Sequence, residues 1–313
     1  MTQQRSIVPY LVLLGGVLVA STAAIMIRGA QELGTPSLTV AAGRLTFAAV
    51  ILTPIAWSRA GAEIRAMRRR DWLWGLASGV FLAIHFAAWI SSLAFTSVAS
   101  STALVATNPI FVALGSWLIF RERLAFGVWF GVALTVGGSL LIALSDHGGG
   151  SGSQPLLGDA LALLGALGGS AYFLVGRSLR KRLTTLPYIW MVYSTAAVVL
   201  LVWMTLAGQS LWGLPPLVYL LLLGLALGPQ LLGHTAFNWS IRYISATVVT
   251  VAILGEPIGS ALLAYVLLAE PVRLLQALGG LTLLCGIAVA TLAEHRSQRA
   301  ARAAVEVEGA LAQ

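Results

Sequence analysis

The chain repeats itself at a fixed distance of 148 residues, and this repeat limits the folds that the chain can adopt. The segment that begins at Ser97 aligns without a gap on the segment that begins at Ser245. The sequence therefore predicts two halves of similar structure. The coincident pairs are Ser97/Ser245, Thr102/Thr250, Pro109/Pro257, Ile110/Ile258, Ala113/Ala261, Leu114/Leu262, Glu122/Glu270, Gly131/Gly279 and Gly138/Gly286.

Apolar runs long enough to cross a bilayer recur along the chain. Of the 313 residues, 58% are hydrophobic and only 10% are charged, whereas a soluble domain carries about 25% charged residues. The pattern predicts an all-α integral membrane protein with ten transmembrane helices. The predicted spans are roughly 8–28, 37–57, 72–95, 98–120, 125–145, 156–176, 187–207, 215–240, 245–268 and 272–293.

Each half contains an odd number of predicted spans, so the two five-helix repeats are inverted relative to each other. Inverted repeats are typical of alternating-access transporters. We predict a first repeat over 1–145, a periplasmic Gly/Ser linker over 146–155, a second repeat over 156–293 and a cytoplasmic tail over 294–313.

Lysine and arginine residues lie almost entirely in loops on one side of the ten-helix arrangement. The positive-inside rule places both termini in the cytoplasm. Because the net charge of +8 is explained by these loops, we expect no nucleic-acid partner. The single cysteine, Cys285, excludes an intramolecular disulfide and a cysteine-based metal site.

Two prolines at equivalent places interrupt the fourth and ninth predicted helices. Pro109 follows Asn108, and Pro257 follows Glu256. A proline inside a helix leaves a backbone carbonyl without its partner, which lipid tolerates only beside protein groups or a wet cavity. We expect both positions to act as helix breaks or hinges that line a cavity near the membrane centre.

Ionisable side chains inside a membrane are costly and are functional hypotheses by default. Glu256 either contacts a substrate ammonium group or carries a proton; the alternative is a buried, protonated carboxyl that bonds a neighbouring helix. His85 and His234 lie near the middle of the third and eighth helices. For each histidine, a packed hydrogen-bonding residue and a site residue both stay open, and neither has metal ligands at suitable spacing.

Aromatic and amide side chains accompany the histidines. Trp89 lies four residues after His85, and Asn238 four residues after His234, so each pair shares a helical face. Phe86 and Tyr172 are also near mid-span. We predict that these positions line the substrate site together with Asn108 and Glu256.

Three further charges are assigned structural or gating roles. Arg44 lies about one third of the way into the second helix, where it could pair with Glu32, bind a substrate carboxylate or extend to the outer interface; a structural or gating ion pair is favoured. Glu122 and Glu270 lie at equivalent helix ends beside arginines and are interpreted as interfacial ion pairs or gate latches.

With these features the chain resembles the EamA-type branch of the drug/metabolite transporter superfamily over about residues 7–293. The resemblance rests on the two inverted halves, Asn108-Pro109, Glu256-Pro257, and the helix ends Arg121–Leu124 and Ala269–Pro271. Arg44 lies where that family tends to carry an arginine. Ile84-His85-Phe86 and the aromatic content are similar to the YddG-type exporters of aromatic amino acids.

The resemblance implies an exporter of aromatic or other amphipathic amino acids in the bacterial inner membrane, working without a cofactor. The partners are then a small-molecule substrate and the lipid bilayer, and the protein is a monomer or a homodimer. Export of another metabolite, such as threonine, homoserine, a cysteine-type compound or a cationic drug, stays open. A membrane-embedded enzyme is a remote alternative, because no nucleophile–base pair or phosphate loop supports it.

Overall fold

The computed structural model describes residues 7–120, 124–147, 152–176, 179, 182–240, 243, 249 and 252–311. Glu122 lies outside the described residues, and the side chain of Asn238 is not described. Within these residues, nine helical spans are long and apolar enough to cross a membrane, and Gly255–Leu267 is a shorter apolar helix. These elements correspond to the ten predicted spans.

We number the spans α1 to α10 in chain order. Three of them, α1, α4 and α8, consist of consecutive helical segments separated or joined by irregular turns. The bounds are α1, Val8–Ser21 and Ala23–Glu32; α2, Ser37–Arg65; α3, Arg69–Ser92; α4, Val98–Val105 and Asn108–Phe120; α5, Phe126–His147; α6, Pro155–Gly176; α7, Thr185–Leu206; α8, Pro216–Leu225, a π-helix over Ala226–Gly233, and His234–Ser240; α9, Gly255–Leu267; and α10, Leu274–Leu311.

Residues at the helix starts fix where α3 and α4 begin. The backbone N–H of Arg68 donates to Asp71 Oδ2 at 3.0 Å. Ser97 Oγ accepts a hydrogen bond from the N–H of Ser100 at 3.1 Å. Such contacts satisfy backbone groups that a helix end leaves unpaired, which allows short connections between the spans.

Two helices are longer than the sequence predicts. Helix α2 continues to Arg65 and α3 begins at Arg69, so much of the predicted basic loop between them is helical. Helix α10 continues to Leu311, through most of the predicted tail. The tail is rich in alanine, glutamate and arginine, which are strong helix formers, and this composition explains the continuation.

The chain alternates between two ends of the helix bundle. We call one the linker end, because α5 ends and α6 begins there, on either side of the predicted Gly/Ser linker. The same end holds segments 33–36, 93–97, 207–215 and 268–273. The other, the basic end, holds segments 66–68 and 182–184. Helices α3 and α8 are repeat equivalents, as are α6 and α1, and α3 packs on α6 as α8 packs on α1.

Helices α5 and α10 pack with their backbones in close contact at equivalent glycines. A Cβ atom at Gly131 would lie 2.5 Å from the carbonyl oxygen of Gly286, and one at Gly138 would lie 2.6 Å from that of Gly279. Gly127, the first residue of the Gly-x-x-x-Gly pattern in α5, faces Ala293 of α10. The pattern therefore serves packing within the chain.

Large apolar side chains cover the outside of the bundle. Leu118, Leu206 and Leu274 are between 74% and 80% exposed. The buried centre instead contains many alanines together with aliphatic and aromatic side chains on α2, α3 and α7. An apolar outer surface is what a lipid environment requires, whereas soluble proteins rarely expose such large apolar patches.

Candidate functional site

The fourth and ninth spans both leave regular helical geometry immediately before their prolines. In α4 the turn lies at Ala106 and Thr107, and the second segment begins at Asn108. In the second half the turn lies at Leu254, and α9 begins at Gly255, next to Glu256. Asn108 and Glu256 thus occupy equivalent helix starts near the middle of the molecule.

A serine from a neighbouring helix lies against the backbone at each of these breaks. Ser170 Oγ on α6 is 3.0 Å from the carbonyl oxygen of Asn108. Ser21 Oγ on α1 is 3.3 Å from the carbonyl oxygen of Glu256. Serine hydroxyls can satisfy backbone groups that a broken membrane helix leaves unpaired. Neither serine was among the predicted site residues, although the inverted repeat places both on equivalent helices.

His85 is held in one orientation by a backbone carbonyl. Its Nδ1 lies 2.7 Å from the carbonyl oxygen of Gly165 on α6. Because a carbonyl oxygen can only accept, Nδ1 carries the proton and Nε2 is the acceptor of the neutral ring. The ring stacks on Trp89 with centroids 6.0 Å apart and meets the edge of Phe86 at 4.8 Å.

Gly169 on α6 lies between His85 and Asn108. A Cβ atom at this position would be 2.9 Å from both His85 Nδ1 and Asn108 Oδ1. The absence of a side chain at Gly169 therefore brings the predicted site residues of α3 and α4 together. The sequence signal was the Gly168-Gly169 pair in the middle of a predicted span, where glycine costs helix stability.

Arg44 projects into the same region from α2. The residue is 1% exposed, and its Nε donates to Gln230 Oε1 at 3.0 Å. Its Cζ lies 4.5 Å from the ring centroid of Phe86 and 5.8 Å from that of Trp89. Among the described residues, no carboxylate lies within 4 Å of this guanidinium. Arg44 therefore makes no ion pair with Glu32 and does not extend to the membrane surface.

Gln230 and Tyr193 connect Arg44 to two further helices. Gln230 is 2% exposed and lies in the π-helical segment of α8, and its side chain lies near that of Tyr193 on α7. Segments of π-helix inside α-helices are frequent at functional sites. Gln230 was not predicted as a site residue; Pro229 beside it was the available signal, because proline interrupts helical hydrogen bonding.

The central cluster is defined by the contacts among Arg44, His85, Phe86, Trp89, Asn108 and Gln230. Glu256 and His234 belong to the second half of the chain. Glu256 is half-buried, and His234 is exposed. Both interact electrostatically with Arg44, and His234 also interacts with His85. The ring of His234 meets Phe237 edge-on at 6.0 Å.

Tyr172 is not brought next to Trp89. Its ring stacks on Tyr188 of α7 at 6.3 Å, and its carbonyl oxygen accepts a hydrogen bond from Ser78 at 3.2 Å. Ser78 precedes Trp89 by eleven residues of α3, which is about 16 Å along a helix. Gly165 of α6 contacts Trp89. The part of α6 that carries Tyr172 therefore lies closer to the basic end than Trp89 does.

Glu270 connects three elements at the linker end. Its Oε1 lies 3.2 Å from Nη2 of Arg28, at the end of α1. Its Oε2 accepts a hydrogen bond from the N–H of Val98, the first residue of α4, at 3.0 Å. Arg28 also donates to the carbonyl oxygen of Thr96 at 2.7 Å. Arg28 is therefore the ion-pair partner of Glu270.

A groove of about 410 Å³ lies elsewhere, on the outer surface between α2 and α8. It is lined by Phe47, Val50, Ile51, Tyr219, Leu220 and Leu223. The only polar side-chain atom among them, the hydroxyl of Tyr219, donates to the carbonyl oxygen of Leu211. A wall without free polar groups suits lipid chains, so we place the site at the central cluster instead. The searched part of the chain contains no cluster of histidine, cysteine and acidic residues able to hold a metal ion.

Comparison with known sequences identifies two copies of one domain. The model of the EamA-like transporter family matches residues 7–144 and 156–292, one copy for each repeat. The two copies also agree with ten helices arranged as two inverted five-helix repeats.

Curated relatives are distant. An uncharacterized transporter YdfC of Bacillus subtilis is 25% identical over 61% of this chain and 61% of its own length. An uncharacterized transporter of Synechocystis, sll1319, is 24% identical over 69% of this chain and 66% of its own. The chain thus spans somewhat less than two thirds of the length of these relatives.

The chain is also similar to a shorter curated protein and to a solved structure. A probable 4-amino-4-deoxy-L-arabinose-phosphoundecaprenol flippase subunit ArnE of Pseudomonas fluorescens is 34% identical over 24% of this chain and 64% of its own length. A structure described only as "Crystal structure of protein" is 21% identical, with a TM-score of 0.62, over 92% of this chain and 98% of that one. This last similarity concerns the fold alone.

Proposed function

Because the chain belongs to the EamA-like transporter family, we propose that this multi-pass membrane transporter of small molecules exports aromatic or similarly amphipathic amino acids. The single observation that carries the proposal is the central cluster, in which the rings of Phe86, Trp89 and His85 contact one another. Aromatic walls with a few polar groups suit a flat, partly polar solute.

The polar groups around the aromatic side chains match the other half of such a solute. Asn108 and His85 belong to the first repeat, and His234 and Glu256 belong to the second. An amino acid placed between them has hydrogen-bond partners from both repeats. Tyr172 and Asn238 stay proposed site residues, with Tyr172 nearer the basic end of the path.

Transport follows from movement of one pair of hairpins against the rest of the bundle. Helices α3 and α4 form one hairpin, and the eighth and ninth spans form its inverted equivalent. The breaks at Pro109 and Pro257 divide each moving helix near the cluster, which allows its two segments to tilt separately. Alternate opening at the two ends then exposes the cluster to one side of the membrane at a time.

The orientation is proposed from the distribution of positive charge. With the basic end in the cytoplasm of a bacterial cell, both termini and the predicted tail 294–313 lie inside, and the linker 146–155 is periplasmic. The repeats 1–145 and 156–293 would then function as the two inverted domains of an inner-membrane exporter.

Counterflow in proteoliposomes tests the proposed substrate class. Vesicles containing the purified protein are loaded with one unlabelled amino acid, and accumulation of the same labelled amino acid is measured. We expect counterflow of L-phenylalanine and L-tryptophan and its loss in Trp89→Leu, with Trp212→Leu as a control because Trp212 is 88% exposed at the linker end. Counterflow of threonine or cysteine without phenylalanine and tryptophan contradicts the aromatic assignment.

A further inference from the structure

Among the described residues, the guanidinium of Arg44 is a buried cation that has no counter-ion in direct contact. Its Nη1 is buried and lacks a hydrogen-bond partner among the described residues, and no carboxylate there lies within 4 Å. Buried charges in proteins are normally paired, because removal from water is costly. Inside a membrane protein, an unpaired charge directed into the bundle marks a substrate or ion path.

A second unsatisfied donor lies beside this guanidinium. The indole Nε1 of Trp89 is buried and also lacks a partner among the described residues. A buried tryptophan N–H usually finds an acceptor. Arg44 Cζ is 5.8 Å from the centroid of this same ring, so both unpaired N–H groups belong to side chains that contact each other.

The neighbours of Arg44 determine which of its guanidinium nitrogens can contact a ligand. Gln230 holds Nε, and the ring of Phe86 covers one face of the guanidinium at 4.5 Å. Cation–π contacts of this type hold an arginine in place. Nη1 is therefore presented in a fixed position, and the planar arginine head group matches the geometry of carboxylate and phosphate groups. Of these two, the carboxylate is the group that the proposed amino-acid substrate carries.

We propose that Nη1 of Arg44 and Nε1 of Trp89 form a subsite for the carboxylate of the transported molecule. The inference rests on the proposed function, because it places the substrate in the same central cluster. It narrows the substrate class to carboxylates that carry an apolar or aromatic group. An amine without a carboxylate, such as a cationic drug, would bring a positive charge to Arg44 and is rejected.

Glu256 can then bind the ammonium group of the same substrate. It interacts electrostatically with Arg44 but lies more than 4 Å from it, so neither charge neutralises the other by direct contact. A zwitterionic amino acid can place its carboxylate on Arg44 and its ammonium group toward Glu256. The two repeats would thus bind opposite charges of one substrate.

Competition binding separates the carboxylate from the rest of the ligand. The purified protein is incubated with labelled L-tryptophan, and one of two unlabelled competitors is added. 3-Indolepropionate lacks the ammonium group, and tryptamine lacks the carboxylate. We expect 3-indolepropionate to compete and tryptamine to fail. Trp89→Phe keeps an aromatic ring and loses the indole N–H. It should weaken the binding of both L-tryptophan and 3-indolepropionate about tenfold, which corresponds to about 1.4 kcal/mol.

Arginine variants locate the charge that discriminates between the two competitors. Arg44→Gln should abolish the preference for 3-indolepropionate over tryptamine, and Arg44→Lys should retain part of it, because lysine keeps the charge without the planar fork. Arg28→Gln, which removes an arginine at the linker end, should keep the preference. Monodisperse elution and a cooperative thermal transition establish that each variant is folded.

The results distinguish this inference from the proposed function. Equal competition by tryptamine and 3-indolepropionate in the native protein, or an unchanged preference in Arg44→Gln, overturns the carboxylate subsite and leaves aromatic transport standing. Binding of an aliphatic carboxylate such as hexanoate, dependent on Arg44, with no binding of indole compounds refutes the aromatic assignment and supports the subsite. If Arg44→Gln does not fold, Arg44→Lys and Trp89→Phe decide.

Discussion

Gly169 keeps two polar side chains in place because it has none of its own. A methyl group there would lie 2.9 Å from His85 Nδ1 and Asn108 Oδ1, so Gly169→Ala should displace both without unfolding α6. We expect the half-saturating substrate concentration to rise about tenfold, a loss of about 1.4 kcal/mol. The measurement is the concentration dependence of counterflow.

The control for Gly169→Ala is Gly280→Ala on α10. No atom lies within 4 Å of a Cβ built at Gly280, so its transport should be unchanged. Equal transport by Gly169→Ala and the native protein would mean that the close approach of His85 and Asn108 to Gly169 does not shape the site.

Glu256 supplies the second prediction for single residues. Protonation of its carboxyl removes the charge that faces a substrate ammonium, so transport by the native protein should fall as the pH decreases. Glu256→Gln should transport slowly and with a flat pH profile between about pH 5 and pH 8. Glu32→Gln, which changes an exposed carboxylate at the end of α1, is the control. A normal rate and a normal pH profile in Glu256→Gln exclude both the ammonium and the proton roles.

Single residues differed in how far the sequence could predict them. The prolines predicted Asn108 and Glu256 as equivalent positions, because a proline has a local effect on its own helix. The location of Arg44 depends on a hydrogen bond to Gln230, which lies 186 residues away, and no local pattern contains that information. Tyr172 faces Tyr188 instead of Trp89 because its place along α6 depends on how α6 packs on α3.

At the scale of helices, the ion pair of Glu270 with Arg28 joins α1 to the start of α4 and the end of α9. A carboxylate at a helix N-terminus also stabilises the helix through its dipole. Glu270→Gln should therefore loosen the linker end and favour its opening. Thr102, which is 3% exposed in α4, reports on this change after Thr102→Cys in a Cys285→Ser background.

The measurement for Glu270→Gln is the labelling rate of this cysteine by a membrane-impermeant thiol reagent. We expect labelling to be several-fold faster with Glu270→Gln than without it. The matched control is Glu63→Gln, which removes a contact with Thr184 at the basic end. If the labelling rates with and without Glu270→Gln agree, Glu270 is an interfacial ion pair and not a latch.

Two adjacent glycines of α5 test how far the contact between α5 and α10 stabilises the protein. A Cβ at Gly138 would lie 2.5 Å from the backbone nitrogen of Leu283, whereas one at Gly137 would meet nothing within 4 Å. Gly138→Ala should lower the free energy of unfolding by about 1–3 kcal/mol through overpacking. Gly137→Ala should keep or raise it, because alanine favours a helix. Thermal unfolding in detergent measures the difference, and equal stability of the two variants contradicts the close contact.

The sequence predicted the number of transmembrane helices better than it predicted the contacts of single residues. The thickness of the bilayer sets the length of an apolar run that can cross it, so such runs are readily recognised in a sequence. The ten predicted spans were confirmed. Their ends were less certain: the basic segment after α2 and the segment after residue 293 contain good helix formers, and both continue as helix. The π-helix in α8 was not predicted, because hydropathy carries no signal for an extra residue in a turn.

For the whole molecule, the repeat of the sequence corresponds to a repeat of contacts. The pair α3 and α6 is matched by α8 and α1, and serines on α6 and α1 lie against the two broken helices. Charge does not follow this symmetry, since Arg44 has Val192 as its counterpart and Glu256 has Asn108. A symmetric scaffold allows the two ends to open alternately, and the asymmetric residues define which solute is bound.

The most direct test of the account is a pair of distances between spin labels, with and without L-tryptophan. One pair of labels, at Ala94 and Val272, spans the linker end, and the other, at Leu118 and Tyr243, spans the basic end, both in a Cys285→Ser background. We predict that L-tryptophan changes the two distances in opposite directions and that threonine changes neither. Distances that stay constant, or that both grow together, would contradict alternating access around a central aromatic site.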